Sequence, residues 1–236
     1  MDRCKFYDCT VNGKPLATYG GASLLDFSIG ETAVKPAVFQ GVNRSSWNLL
    51  KNIYTMREIR LTIVFEAEDL RQAKLNRSAL NGVLFEKAEL FIPYDGFHYT
   101  VYCTGTGTET TIGIGEKTAQ IKSEYTFSGL RHDELKTVSI KPNGSVYCLS
   151  TVPLTDCRLT ATVGKSSASY TLGGATFQNV SAGDVLVFDG IDGKITKNGN
   201  NYAANVNWIN FPALIPGTNV IPCADAVIVQ YSPTYI

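Results

Sequence analysis

The chain has 236 residues, enough for one large or two ordinary domains with a real buried core. Its 21 basic and 21 acidic residues cancel, so no overall basic field recommends a nucleic-acid partner, and sequence-specific nucleic-acid binding is not expected. Only 18% of residues are charged against 44% hydrophobic, the profile of a β-rich protein that hides part of its surface in contacts with its own copies.

At the N-terminus, Met1-Asp-Arg-Cys-Lys-Phe-Tyr7 lacks the apolar stretch of a secretion signal, and no apolar run approaches the roughly eighteen residues that cross a bilayer. Folding in a cytoplasm without membrane insertion is therefore expected. The segment Ser28 to Lys51 reads as two short strands and a long polar loop, an excursion of the kind that usually carries function or disorder. Glu58 to Ala67 then alternates Ile59, Leu61, Ile63 and Phe65 with polar residues, the period of a half-buried strand. The period changes next. Leu70, Ala73, Arg77, Leu80 and Leu84 share one face of a helix near 68–85, with Glu66, Glu68 and Asp69 at its positive end and Gly82 near its exit.

Ala88 to Pro93 and Tyr99 to Cys103 flank Tyr94-Asp-Gly-Phe97, a hairpin signal, and Gln120 to Leu130 gives another alternating strand. The charged stretch within Gly129 to Lys136 reads as a linker between two β-rich regions. Beyond it, Val146–Leu149, Leu159–Val163, Ser169–Leu172, Val185–Phe188, Ile209–Phe211 and Val227–Tyr231 read as strands with no helical period. Such spacing indicates a β-sandwich or jelly roll.

Motifs for chemistry are weak. Gly113-Ile-Gly-Glu-Lys-Thr118 places Glu116 where a phosphate loop needs glycine, and Asp189-Gly-Ile-Asp-Gly193 lacks the oxygen-ligand spacing of a calcium loop, so a tight turn is expected there. His98 and His132 neighbour no nucleophile elbow. The six cysteines (Cys4, Cys9, Cys103, Cys148, Cys157 and Cys223) are scattered and read as free thiols, so neither a metal nor a cofactor is expected. The sequons at Asn43, Asn76, Asn143 and Asn179 read as chance matches without secretion. No catalytic residue is assigned, and the chain is not expected to be an enzyme.

Three stretches together carry a resemblance. The last part of the chain holds a Gly-rich hairpin from Gly183, then Trp208-x-x-Phe-Pro-x-Leu-x-Pro-Gly-x-Asn219, then a terminal Tyr231-x-Pro-x-Tyr235. Earlier come Gly21-x-x-Leu-Leu-Asp-Phe27 and the approach Tyr54-Thr-Met-Arg-Glu-Ile-Arg60. In this order, over nearly the full chain, they resemble the distal tail (Dit) proteins of long-tailed, siphovirus-type bacteriophages and prophages. The resemblance implies a mainly β, two-domain chain. Residues 1–133 would form a ring-forming belt domain with one helix near 68–85, and 137–236 a galectin-like β-sandwich, or jelly roll.

The resemblance also implies a structural hub of the virion tail, assembled in the bacterial cytoplasm. Six copies would ring the end of the tail tube and join it to the baseplate or tip. Its partners would be its own copies, the tail tube protein, a tail-tip or tail-associated protein, and peripheral baseplate or receptor-binding proteins. Within that frame Asn43, Arg44, Trp47 and Leu50 are the expected inter-subunit contact, because an apolar Trp-Asn-Leu-Leu beside a long polar excursion is hard to bury in a small sheet. Trp47 alternatively packs in its own core. The rival reading is a carbohydrate-binding β-sandwich protein in host-surface recognition. Against it, Trp208 lacks the Glu and Arg partners of a galectin sugar site and is expected in the core beside Phe211 and Leu214.

Overall fold

The computed structural model describes residues 8–40, 42, 45, 47–115 and 118–236. The chain divides into two compact units, the first ending at His132 and the second covering Asp133–Tyr235.

In the first unit the strands are β1 (Thr10–Val11), β2 (Lys14–Pro15), β3 (Ala22–Ile29), β4 (Val34–Gln40), β5 (Trp47–Tyr54) and β6 (Arg57–Ala67). After helix α1 (Leu70–Leu84) come β7 (Ala88–Ile92), β8 (Phe97–Thr106), β9 (Thr110–Ile114) and β10 (Ala119–His132). One antiparallel sheet runs in the order β2-β1-β7-β8-β10-β6-β3, with β9 also on β10, while β4 and β5, among the described residues, pair only with each other in a separate ribbon.

The period-two strand signal is realised in β6 and β10. Leu61 lies opposite Tyr125, Ile59 opposite Phe127 and Phe65 opposite Ile121, and all six side chains are buried. Helix α1 lies over this face and contributes buried Ala73, Leu80 and Leu84. Each of the two fully buried leucines contributes about 1.5–3 kcal/mol. The helix starts where the Asp69 carboxylate accepts a hydrogen bond from the Gln72 amide at 2.7 Å, satisfying one orphan N–H of the first turn. It continues past Gly82 to Leu84. The charged stretch read as a linker is shorter than expected: β10 keeps its ladder to His132, and the next strand opens at Lys136.

The second unit contains β11 (Lys136–Ile140), β12 (Ser145–Cys148), β13 (Thr155–Thr162), β14 (Ser167–Leu172), β15 (Ala175–Val180), β16 (Val185–Asp189) and β17 (Lys194–Lys197). It continues with β18 (Asn200–Asn201), β19 (Val206–Asn207), β20 (Ala213–Leu214), β21 (Gly217–Val220), β22 (Val227–Tyr231) and β23 (Thr234–Tyr235), and no α-helix occurs among its described residues. The larger sheet runs β11-β22-β13-β16-β17-β18 with β20 on β13; β14-β15-β19 and β12-β21 form smaller sheets. Their inward residues, among them Leu159, Leu172, Phe177, Phe188, Val229 and Tyr231, share one core. The Pro216-Gly217 turn is built by Asn219, whose side chain accepts from the Ile215 amide and donates to the Ile215 and Gly217 carbonyls. Gly217 sits at φ +92°, a conformation that suits glycine.

Two expectations fail here. Ile209–Phe211 is not a strand: β19 ends at Asn207 and Trp208 to Phe211 form an irregular bend. Trp208 is not in the core either. It is 39% exposed, resting on half-buried Phe211 at 4.5 Å between ring centroids, and it is Phe211 that reaches buried Phe188. Without a strand to align them, Phe211 packs against the core while Trp208 leaves the bend on its outer side, tilted over the Phe211 ring.

Candidate assembly surface

The described residues of the Ser28–Lys51 excursion include β4 and the start of β5, and these strands are longer than the sequence suggests. β4 and β5 pair from Val34 opposite Tyr54 to Gln40 opposite Trp47, with a bulge between Ala37 and Val38. β-branched and aromatic residues favour this ladder. Residues directly opposite share a face, so Val34, Pro36, Val38 and Leu49 lie on one side and Ile53, Ala37 and Phe39 on the other. Both sides carry apolar groups that are uncovered among the described residues. Val34, Val38, Phe39, Leu49 and Ile53 are each exposed by about half, and Leu50 by 68%. An isolated two-stranded ribbon is marginal in water.

Of the expected contact residues, Leu50 is therefore an exposed apolar residue of β5, and Trp47 opens that strand. Asn43 and Arg44 lie outside the described residues.

The sheet of the first unit has a second open feature that the sequence reading did not locate. β3 pairs with β6 along one side, and among the described residues no strand joins its other side. At the opposite side of β10, β8 is paired by β7 only over Phe97–Val101; from Tyr102 through β9 the outer edge has no strand among the described residues. Open N–H and C=O rows of this kind are templates for strand addition. Tyr102, Ile112 and Ile114 on this stretch are exposed.

The face of β3, β6 and β10 turned away from the helix is polar apart from buried Val64. Asp26, Glu58, Glu66 and Glu124 share it with Arg60 and Lys122, as the register requires. Arg60 pairs with Glu58 at 2.8 Å and Lys122 with Glu124 at 3.2 Å, so four carboxylates meet two cations and the face leans acidic. On the covered face, the Tyr125 hydroxyl donates to Asn81 Oδ1 at 2.7 Å, and burial pushes its phenol up to about 12.

The remaining candidates take structural places. The Asp189–Gly193 segment is a tight turn in which the Asp189 carboxylate accepts from the Ile191 and Asp192 amides and pairs with Arg158 at 2.6 Å. His98 Nδ1 lies 2.8 Å from Glu89, and its ring stacks between Phe91 and His132. Glu116 and Lys117 of the glycine-rich string lie outside the described residues, as does Cys4. Cys9, Cys148, Cys157 and Cys223 are buried free thiols and Cys103 is partly buried. Burial pushes Cys9 and Cys157 up to about 12. Among the described residues there is no cluster of three or more metal-ligating side chains, and no helix is long and apolar enough to cross a membrane.

By sequence, the chain matches no protein-family profile and no curated protein. By structure, it is similar to the SPP1 Dit protein (gp 19.1), described as a paradigm of the hub adsorption apparatus in Gram-positive-infecting phages. That likeness has a TM-score of 0.70 and 11% identity, over 98% of this chain and 100% of the SPP1 protein. It is also similar to a chain of the phage p2 baseplate in its activated conformation with strontium, with a TM-score of 0.56 and 10% identity, over 96% and 97% of the two chains. In the calcium form of that baseplate the values are 0.55 and 11%, over 97% of each. The mainly β architecture with its single described helix, matched end to end, gives this chain the fold of the phage distal tail (Dit) proteins.

Proposed function

We propose that the chain is a structural hub of a phage or prophage tail, in which six copies form a ring at the end of the tail tube and connect it to the baseplate or tip. The observation that carries this reading is the first unit's sheet with two open edges and an apolar ribbon that its own unit leaves uncovered. Open edges on opposite sides of one sheet are satisfied by head-to-tail pairing, which closes into a ring when the rotation allows. The ribbon would then lie against a neighbouring copy or the tail tube protein, with Asn43, Arg44, Trp47 and Leu50 at that contact. End-to-end likeness in fold to a hub protein and to a baseplate chain supports the same assignment.

In such a ring the residues 1–133 are the belt and 137–236 a galectin-like outer domain. The outer domain would dock a tail-tip protein and peripheral baseplate or receptor-binding proteins. The acid-leaning face of β3, β6 and β10 suits a conduit that DNA passes without binding, since phosphates are repelled rather than neutralised. The chemistry is geometric, and no catalytic group takes part. Electron microscopy and native mass measurement of the purified protein, alone and mixed with its tail partners, test the reading. Six-fold rings are expected in at least one mixture, and a protein that stays monomeric in all of them overturns it.

One observation favours a second reading, carbohydrate binding in host-surface recognition. The half-exposed indole of Trp208 offers a ring to a sugar's apolar face. A specific glycan hit, lost in Trp208→Ala without loss of folding, would establish it; the hub reading expects no hit.

A further inference from the structure

The inward positions of β6 are Arg57, Ile59, Leu61, Ile63 and Phe65, and the last four fill the core. The first breaks the pattern with a guanidinium that is only 3% exposed. A buried charge is costly unless its site satisfies it. Here the satisfaction is incomplete, because Arg57 Nε is buried without a hydrogen-bond partner among the described residues. Departures from the local rule of this kind concentrate where a sequence serves something other than stability.

What Arg57 holds is the exit of the ribbon. Its Nη1 donates to the Gly30 carbonyl at 3.1 Å and to the Glu31 carboxylate at 3.2 Å. The Gly30 amide in turn donates to the Glu58 carbonyl at 2.7 Å, across an approach so close that a Cβ at Gly30 would come within 3.2 Å of that oxygen. One step further out, Thr55 closes the root. Its amide and hydroxyl both donate to the Ala33 carbonyl, at 2.9 and 3.0 Å, and its hydroxyl accepts from the Ala33 amide at 3.2 Å. Beyond Ala33 and Thr55 come the β4–β5 ladder and its uncovered faces.

We propose that Arg57, through Gly30 and Glu31, is a positioning residue that locks the root of the β4–β5 ribbon and fixes the direction in which it leaves the sheet before any partner arrives. The proposal rests on the hub reading for the ribbon's purpose. A ribbon already aimed spares the ordering cost that a swinging one would bear on docking.

The test is a distance distribution between spin labels at Val42→Cys, near the ribbon tip, and Leu75→Cys on α1, both exposed, with Cys4 and Cys103 replaced by Ser. The labelled chain is diluted into unlabelled chain so that distances within one copy are read. The parent is expected to give one narrow distance. Arg57→Gln is expected to lose the narrow peak, and Glu31→Gln to lose part of it, while both keep the parent's circular dichroism. Should Arg57→Gln fail to fold, Glu31→Gln decides alone, since its carboxylate is exposed. A broad distribution in the parent, or variants as narrow as the parent, overturns the lock. Rings formed by a parent with broad distances would leave the hub reading and remove the lock. Narrow distances in a protein that never forms rings would do the reverse.

Discussion

The first unit contains two long antiparallel pairs made from the same kinds of residue. β6 and β10 alternate apolar with polar side chains, and α1 lies over the apolar face so that Ile59, Leu61, Phe65, Tyr125 and Phe127 are buried. β4 and β5 carry Val34, Val38, Phe39, Leu49, Leu50 and Ile53, and in their own unit these remain exposed. The local grammar is shared, and the missing element is the opposite layer. A strand pair completed within its chain stabilises the monomer, whereas one left bare offers its apolar area to another surface.

Substitutions on the two pairs should separate these roles. The largest effect is expected at Phe65→Ala, which empties a fully buried position and should cost about 3–5 kcal/mol in denaturant unfolding. A loss under about 1 kcal/mol would mean that the helix-covered face is not the core. Asp69→Ala removes the helix cap and should cost about 1 kcal/mol in the same measurement. Trp208→Ala in the second unit should also cost only about 1 kcal/mol, the worth of an outward aromatic pair rather than of a core indole. The smallest change in stability, within about 0.5 kcal/mol, is expected for the double variant Phe39→Ser with Leu50→Ser, although it should abolish ring formation. If that variant unfolds the protein, the ribbon belongs to the monomer's own core and the contrast fails. Alkylation of the native protein at about pH 8 should spare Cys9 and Cys157, whose buried thiols carry almost no thiolate there, and unfolding should expose both.

Much of this contrast was legible in the sequence, and the failures have physical reasons. Period two across Ile59–Phe65 and three-four spacing from Leu70 to Leu84 gave the sheet face and its covering helix, because burial on one side writes its period directly into the chain. Val34 to Tyr54 wrote no such period, since both faces of the ribbon mix apolar with polar residues and a bulge shifts the register after Ala37. Leu50 stands out in the sequence as apolar beside a polar excursion, which makes it a candidate for an interface without naming the partner. The open edges of β3 and of Tyr102–Ile114 were invisible because strand order is set by long-range pairing. Trp208 is deceptive because Trp, Phe and Leu at close spacing look alike whether all three line a strand or a bend turns the Trp outward and leaves the other two packed inward. Arg57 could have been found: it occupies the first inward position of an otherwise apolar alternation.

Hydrogen exchange of the ribbon amides before and after assembly tests the central claim, that the bare ribbon is completed by another subunit. The account predicts that Val34–Gln40 and Trp47–Tyr54 exchange quickly in the monomer and become protected in the ring, while β6 and β10 are protected in both. Rings in which the ribbon amides exchange as fast as in the monomer would contradict it.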